Sequence, residues 1–162
     1  MVATAVMENY SKAVVLASKS YSGTIETDAL GKEFVEFAES VSEIAGRIDY
    51  VYCDSAEEVL FRCIKKATEK GKVKIQVRRA ADIDVANRVM LTTRLLAQNR
   101  LFLTENCDSL ARAMSTASWS EKSNTVARQE GSETSHLNAF EYTIERFASR
   151  FISSEGKGEQ KK

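Results

Sequence analysis

The sequence has no proline, a single histidine and only three cysteines in 162 residues. The cysteines, Cys53, Cys63 and Cys107, are scattered and lie in apolar contexts, with no CxxC pair to indicate a zinc site. We therefore expect reduced thiols in the core of a cytosolic protein. The absence of proline is typical of a helix-rich domain, or of a fragment without its linkers.

An excess of charge of either sign is also missing. The 23 basic and 23 acidic residues cancel, so no overall field indicates a nucleic-acid or membrane partner. No apolar run approaches the ~20 residues of a membrane span, and residues 1–6 lack the basic start and long apolar region of a signal peptide. Walker A, GxGxxG, HExxH and GxSxG motifs are absent as well, which argues against a nucleotide-binding loop.

What remains is an alternation of apolar patterns with periods of two and of three to four. It predicts a β-hairpin of residues 2–6 with 13–17. Helices are predicted at 28–46, 57–70, 82–98, 107–119 and 135–151, strands at 48–53, 73–77 and 101–103, and a loop at 120–132. The pattern indicates one α/β domain over 1–152 whose later strands are parallel. We expect residues 153–162 to form a disordered basic tail.

The first candidate site residue is Asp54, directly after the apolar run 48–53. In open α/β sheets, ligands bind beyond the carboxyl ends of parallel strands, which would suit a metal-binding carboxylate. Ser55 and Glu58 have the spacing of a capping box for the next helix. The alternative is that Asp54 is a solvated turn residue or an additional helix cap.

The second candidate cluster opens the final helix. Glu133, His136 and Asn138 stand where their side chains would approach one site, and His136 is the only histidine. The alternative is structural: Ser135 caps the helix, Glu133 interacts with its dipole and His136 is merely exposed.

Arginines form the third candidate group. Arg78 and Arg79 precede a predicted helix, and further arginines follow at helical or near-helical steps, at Arg88, Arg94 and Arg100. Such a row suits a phosphate backbone. More often, such a row is a solvated helix face.

Four segments, in this order, carry a resemblance to a known family. They are RIDYVYCDSAEEVLFRCIKKA, KIQVRRAADIDVANRVMLTTRLLAQNRLFLTENC, SLARAMSTASWSEK and HLNAFEYTIERF. Over roughly residues 12–150 the chain resembles the C-terminal nuclease domain of a bacteriophage terminase large subunit. The resemblance implies an α/β, RNase H-like mixed sheet flanked by helices, and an endonuclease that cuts concatemeric viral DNA during genome packaging.

The resemblance also implies a site and partners. Two Mg²⁺ or Mn²⁺ ions would be held by acidic and other oxygen ligands, here Asp54, Glu133 and Asn138, with His136 as a further catalytic candidate. Arg78, Arg79 and Arg88 would contact double-stranded DNA. An ATPase domain, a small terminase subunit and a portal ring are the implied protein partners, in the host cell cytoplasm.

Two departures from the family pattern leave a second interpretation open. The family carries another essential Asp on a first strand ahead of a hairpin like that of residues 2–17, so we expect the chain to be truncated. Asn138 and Ser135 stand where the family has acids. The alternatives are a catalytically inactive terminase fragment that retains DNA or partner binding, and an unrelated α/β interaction domain in which Asp54 is only a turn residue.

Overall fold

The structure is a computed structural model that describes residues 1–21, 25–71, 74–81, 83–117, 119–122, 125–128 and 134–154. Its strands are β1 (Val2–Val6), β2 (Ala13–Ser18), β3 (Tyr50–Cys53), β4 (Gln76–Arg79), β5 (Leu101–Leu103), β6 (Trp119–Lys122) and β7 (Thr125–Arg128). Its helices are α1 (Thr27–Ala45), α2 (Glu58–Lys70), α3 (Val85–Ala97), α4 (Asp108–Thr116), α5 (Thr134–Ile144) and α6 (Ala148–Ser153). Single 3₁₀ turns occupy Glu8–Tyr10, Glu105–Cys107 and Glu145–Phe147.

The strands form a small mixed sheet and two strand pairs. β2 lies between β1, to which it is antiparallel, and β5, to which it is parallel. β3 and β4 pair in parallel, and β6 and β7 pair antiparallel. The predicted α/β class is therefore confirmed, with helices packed against small sheets.

Two clusters of buried side chains stabilise these layers. The larger lies between β2, β5 and helices α3 to α6, and its fully buried members include Leu110, Phe140, Ile144 and Phe151. The smaller joins α1 and α2 to β3 through Phe34, Ala38, Cys53 and Ile64. Burying apolar side chains is the main stabilising term in folding, so each cluster fixes its own set of elements.

The helix predicted over 28–46 shows why apolar periodicity succeeds. Phe34, Ala38 and Val41 recur at three- and four-residue steps and are the buried residues of α1. The helix ends at Ala45 and is capped by Gly46, whose φ of 78° is in the left-handed region that favours glycine and whose N–H donates to the Ser42 carbonyl at 2.8 Å.

Several boundaries differ from prediction. The segment 120–132 is predicted to be a loop and Trp119 to end a helix, but α4 ends at Thr116 and β6, which starts at Trp119, pairs with β7. A hairpin of largely polar residues is stabilised through backbone hydrogen bonds, which apolar periodicity does not detect. The strand expected at 73–77 is observed at Gln76–Arg79. The last helix is interrupted by the turn Glu145–Phe147.

Two further expectations concern the chain as a whole. Cys53, Cys63 and Cys107 are buried and form no disulfide, as predicted. The proposed tail begins within α6, which ends at Ser153, and residues 155–162 lie outside the described part of the chain. Among the described helices, none has the length and apolar character needed to cross a membrane.

Candidate functional site

Asp54 stands at the carboxyl end of β3, where the sequence placed it, and both of its carboxylate oxygens accept hydrogen bonds. The Ala56 backbone N–H donates to Oδ1 at 3.0 Å, which closes the turn into α2. The Tyr142 hydroxyl donates to Oδ2 at 2.8 Å, across 88 positions of sequence. Asp54 is thus a turn residue, as its alternative interpretation predicted, and its side chain also links β3 to α5.

The predicted capping box at the start of α2 is wrong. Glu57 is the N-cap residue, and no side chain caps the helix. The Glu58 carboxylate instead accepts from Arg62 Nε at 2.7 Å and from Arg79. Glu58 is therefore occupied by two cations on the surface, and the turn itself is closed by Asp54.

Asp54 and one face of α5 line the same groove, which has a volume of about 940 Å³. The α5 residues that line it recur at helical spacing and include Ser135, Asn138 and Tyr142. Two candidates from separate parts of the sequence, Asp54 and Asn138, are thus brought to one groove. His136 is half-buried on a different side of α5 and is not among the lining residues, and Glu133 lies outside the described residues.

Behind Tyr142 lies a group of buried charges that sequence reasoning missed. Arg88 of α3 and Glu141 of α5 are 7% and 2% exposed, and Arg88 Nε lies 3.8 Å from Glu141 Oε2. The Arg88 guanidinium also lies over the Tyr142 ring, 5.0 Å from its centroid. The sequence feature that could have predicted this burial is the position of Glu141 and Glu145 among apolar residues on one side of the last predicted helix.

Glu145, 2% exposed, is the second buried carboxylate of this region. It accepts a hydrogen bond from the Ala81 backbone N–H, which fixes the segment after β4 against the 3₁₀ turn. Burial raises the pKa of Glu145 above its ordinary value, and the Ala81 N–H opposes that shift. Burial, followed by the hydrogen bond to Asp54, likewise raises the pKa of Tyr142, which keeps its hydroxyl protonated as a donor.

The three arginines predicted to bind DNA have different environments. Arg78 is exposed; its guanidinium lies 4.2 Å from the Tyr50 ring centroid and donates to Gln76 at 2.9 Å. Arg79 is half-buried, with its guanidinium over Phe61 and donating to Ser55 and Glu58. Arg88 is buried against Glu141, so a phosphate backbone cannot reach it and it is removed from the predicted DNA surface.

The metal expectation depends on the donors around Asp54. Asp54 and Asn138 offer the oxygen atoms that Mg²⁺ prefers, but they supply only one negative charge. Within the described residues, no group of three or more His, Cys, Asp or Glu side chains is placed to hold a metal ion. These donors alone do not fit the two ions that the resemblance implies, so no reaction step is assigned to a metal.

A scan against protein-family models, a search of curated proteins and a search of solved structures each found no match to the chain.

Proposed function

We propose that the chain is a nuclease domain of the terminase large subunit type, with an RNase H-like α/β fold, and that DNA binds at the groove beside Asp54. One observation carries this proposal. A carboxylate at the carboxyl end of a parallel strand is hydrogen-bonded to α5 and shares its groove with Asn138. The strand that ends at Asp54 and the helix that carries Asn138 are the two most specific parts of the resemblance to the terminase family.

The contribution of the described residues is positional. The Tyr142 hydroxyl and the Ala56 N–H hold the Asp54 carboxylate in one orientation, with one oxygen toward each donor. A carboxylate held in one orientation suits catalysis, because the groups of a catalytic site must be held within about 0.5 Å of the productive geometry. The ATPase domain, small subunit and portal ring remain partners that the resemblance implies.

DNA contact is assigned to Arg78 in this proposal. It is an exposed cation on β4, the strand next to β3, and it stacks on Tyr50 at the surface. Guanidinium groups bind phosphate and stack on aromatic rings. Arg79 is already engaged by Glu58, so Arg78 is the stronger candidate of the two.

A second candidate function is a catalytically inactive domain of the same type that binds DNA or a partner. The specific observation in its favour is the donor set, because Asn138 brings no charge to the groove and no three-ligand group stands among the described residues. This candidate shares the fold and the Arg78 surface with the first and differs only in cleavage.

Nicking of supercoiled plasmid with Mn²⁺ or Mg²⁺ separates the two candidates. The variant is Asp54→Asn, which keeps the shape of the side chain and removes its charge. The matched control is Asp108→Asn, an exposed aspartate in the first turn of α4, away from the groove. An EDTA arm tests dependence on metal.

The nuclease proposal expects cleavage by wild type and Asp108→Asn, and its loss in Asp54→Asn and in EDTA. Folded wild type that binds DNA without cutting it would establish the inactive domain instead. Absence of both cleavage and DNA binding would overturn both candidates.

A further inference from the structure

One face of the β3–β4 pair carries two aromatic rings that do not belong to either core cluster. Val51 and Cys53 of β3 and Val77 of β4 pack into the smaller cluster with α1 and α2. Because side chains alternate along a strand, Tyr50 and Tyr52 project from the opposite face. Tyr50 is 38% exposed and Tyr52 is half-buried, so both rings are accessible from solvent.

Two guanidinium groups extend these rings into a row. The ring centroids of Tyr50 and Tyr52 are 6.1 Å apart, with their planes inclined by 30°. The Arg78 guanidinium lies 4.2 Å from the Tyr50 centroid, and that of Arg146 lies 5.8 Å from the Tyr52 centroid. Both arginines are exposed. Together, Tyr50, Tyr52, Arg78 and Arg146 make an aromatic and cationic surface, here termed the platform.

The backbone fixes the positions of the platform side chains. Tyr52 and Arg78 are register partners in the parallel ladder of β3 and β4, so their side chains lie on the same face. The Arg146 guanidinium donates a hydrogen bond to the Arg79 carbonyl at 2.9 Å, which ties the 3₁₀ turn after α5 to the end of β4. The platform is therefore held in place by the fold.

The charges around the platform suit an anion. Its two arginines bring two positive charges. Asp49, which precedes Tyr50 in sequence, is paired with Arg47 through a contact of 2.7 Å. Glu145, near Tyr52, is buried, and its raised pKa favours the neutral form.

Rings alternating with guanidinium groups match the chemistry of an unpaired nucleic-acid strand. Each base has a π-face that stacks on a tyrosine ring or on a guanidinium plane, and each phosphate attracts a cation. In a duplex these base faces are covered by the neighbouring base pairs. A duplex therefore reaches the arginines, whereas only an unpaired strand uses the rings as well.

We propose that the platform binds an unpaired strand of DNA, with bases stacked on Tyr50 and Tyr52 and phosphates beside Arg78 and Arg146. That the strand is DNA rests on the proposed function. Tyr52 and Tyr50 precede Asp54 by two and four residues, which is about 7 and 13 Å of extended chain. A strand with ~3.4 Å between nucleotides covers this distance in about two to four nucleotides. The platform thus adds to the proposed function a preference for DNA that is unpaired beside Asp54.

Fluorescence anisotropy tests this proposal with a labelled twelve-nucleotide thymidine strand, a mixed-sequence duplex of the same length and a uridine strand, all in EDTA. Tyr50→Leu removes the aromatic face, and Tyr50→Trp keeps one. The matched control is Tyr21→Leu, because Tyr21 is 36% exposed and also has a cation over its ring, with Lys19 Nζ 5.4 Å from the centroid. Circular dichroism checks the folding of each variant, and Arg78→Gln tests the platform at a second exposed position.

Tyr50→Leu should bind the thymidine strand about fivefold or more weakly and the duplex as wild type does, since stacking is lost only for unpaired bases. Tyr50→Trp and Tyr21→Leu should keep wild-type binding of both. Arg78→Gln should weaken binding of both and lower the salt dependence by about one phosphate contact.

The proposal is overturned if the thymidine strand does not bind, if Tyr50→Leu weakens strand and duplex equally, or if Tyr50→Trp binds no better than Tyr50→Leu. Tighter binding of the uridine strand would assign the platform to RNA instead. The measurement needs neither metal nor cleavage, so it fails independently of the nuclease proposal. Binding that depends on Tyr50, with plasmid left uncut, keeps the platform and rejects the nuclease; cleavage without such binding does the reverse.

Discussion

Replacing Arg88 with methionine should destabilise the protein by about 3–5 kcal/mol, because it leaves the buried Glu141 carboxylate without the cation beside it. The two residues are 7% and 2% exposed and lie on α3 and α5. Replacing Glu141 with leucine should cost a similar amount for the converse reason. Both effects are large because water cannot reach the charge that remains.

The pairing of these charges makes the double variant Arg88→Met/Glu141→Leu the informative one. At the observed 3.8 Å, an effective dielectric constant of 20 gives an attraction of about 4 kcal/mol. Desolvation of both ions opposes that attraction. Removing both charges removes both contributions, so the double variant should be near wild type in stability, or more stable by about 1–4 kcal/mol.

Urea unfolding followed by circular dichroism measures all four proteins, and the coupling energy is the departure from additivity. Arg112→Met, at an exposed arginine of α4, is the matched control and should change stability by less than about 0.5 kcal/mol. Single variants that each cost under ~1 kcal/mol, or a double variant equal to the sum of the singles, would contradict a buried pair. Either result would return Arg88 to the set of candidate DNA contacts.

Two further predictions concern buried titratable groups. The raised pKa of Glu145 means that the folded state holds its proton more tightly than the unfolded state, so its contribution to stability falls as pH rises from the ordinary carboxyl range through the raised pKa. Glu145→Gln should lack this fall. Urea midpoints that change with pH equally in wild type and Glu145→Gln would contradict the reasoning. Burial raises the pKa of Cys53 to about 11, and all three cysteines are buried, so a thiol reagent at pH 8 should label none of them quickly in the native protein and all three in urea.

Elements whose apolar residues recur with a clear period were predictable from the sequence. The hairpin of β1 and β2, the helix α1 and the strand β5 were predicted to within two residues, because each directs a repeating set of side chains into a core. The β6–β7 hairpin was not predictable this way, since its strands WSEK and TVAR carry few apolar residues. The pairing of these two strands depends on backbone hydrogen bonds.

The candidate site was only partly predictable. A carboxylate after an apolar strand placed Asp54 at the end of β3, and helical spacing placed Asn138 on the final helix. The bond from Tyr142 to Asp54 spans 88 positions, so no local pattern contains it. The burial of Arg88 was missed for the same reason, because its partner Glu141 is on a helix 53 positions away and looks polar in sequence.

The buried charges bear on the groove through Tyr142. A buried ion pair is weak evidence for stability, since apolar residues of similar volume often serve as well. The Arg88 guanidinium, however, also lies over the Tyr142 ring, and the Tyr142 hydroxyl orients the Asp54 carboxylate. We infer that Arg88 is a positioning residue whose effect reaches Asp54 through Tyr142. The double variant should then keep its stability and still lose the fixed orientation of Asp54, which separates the structural role of the pair from its role at the groove.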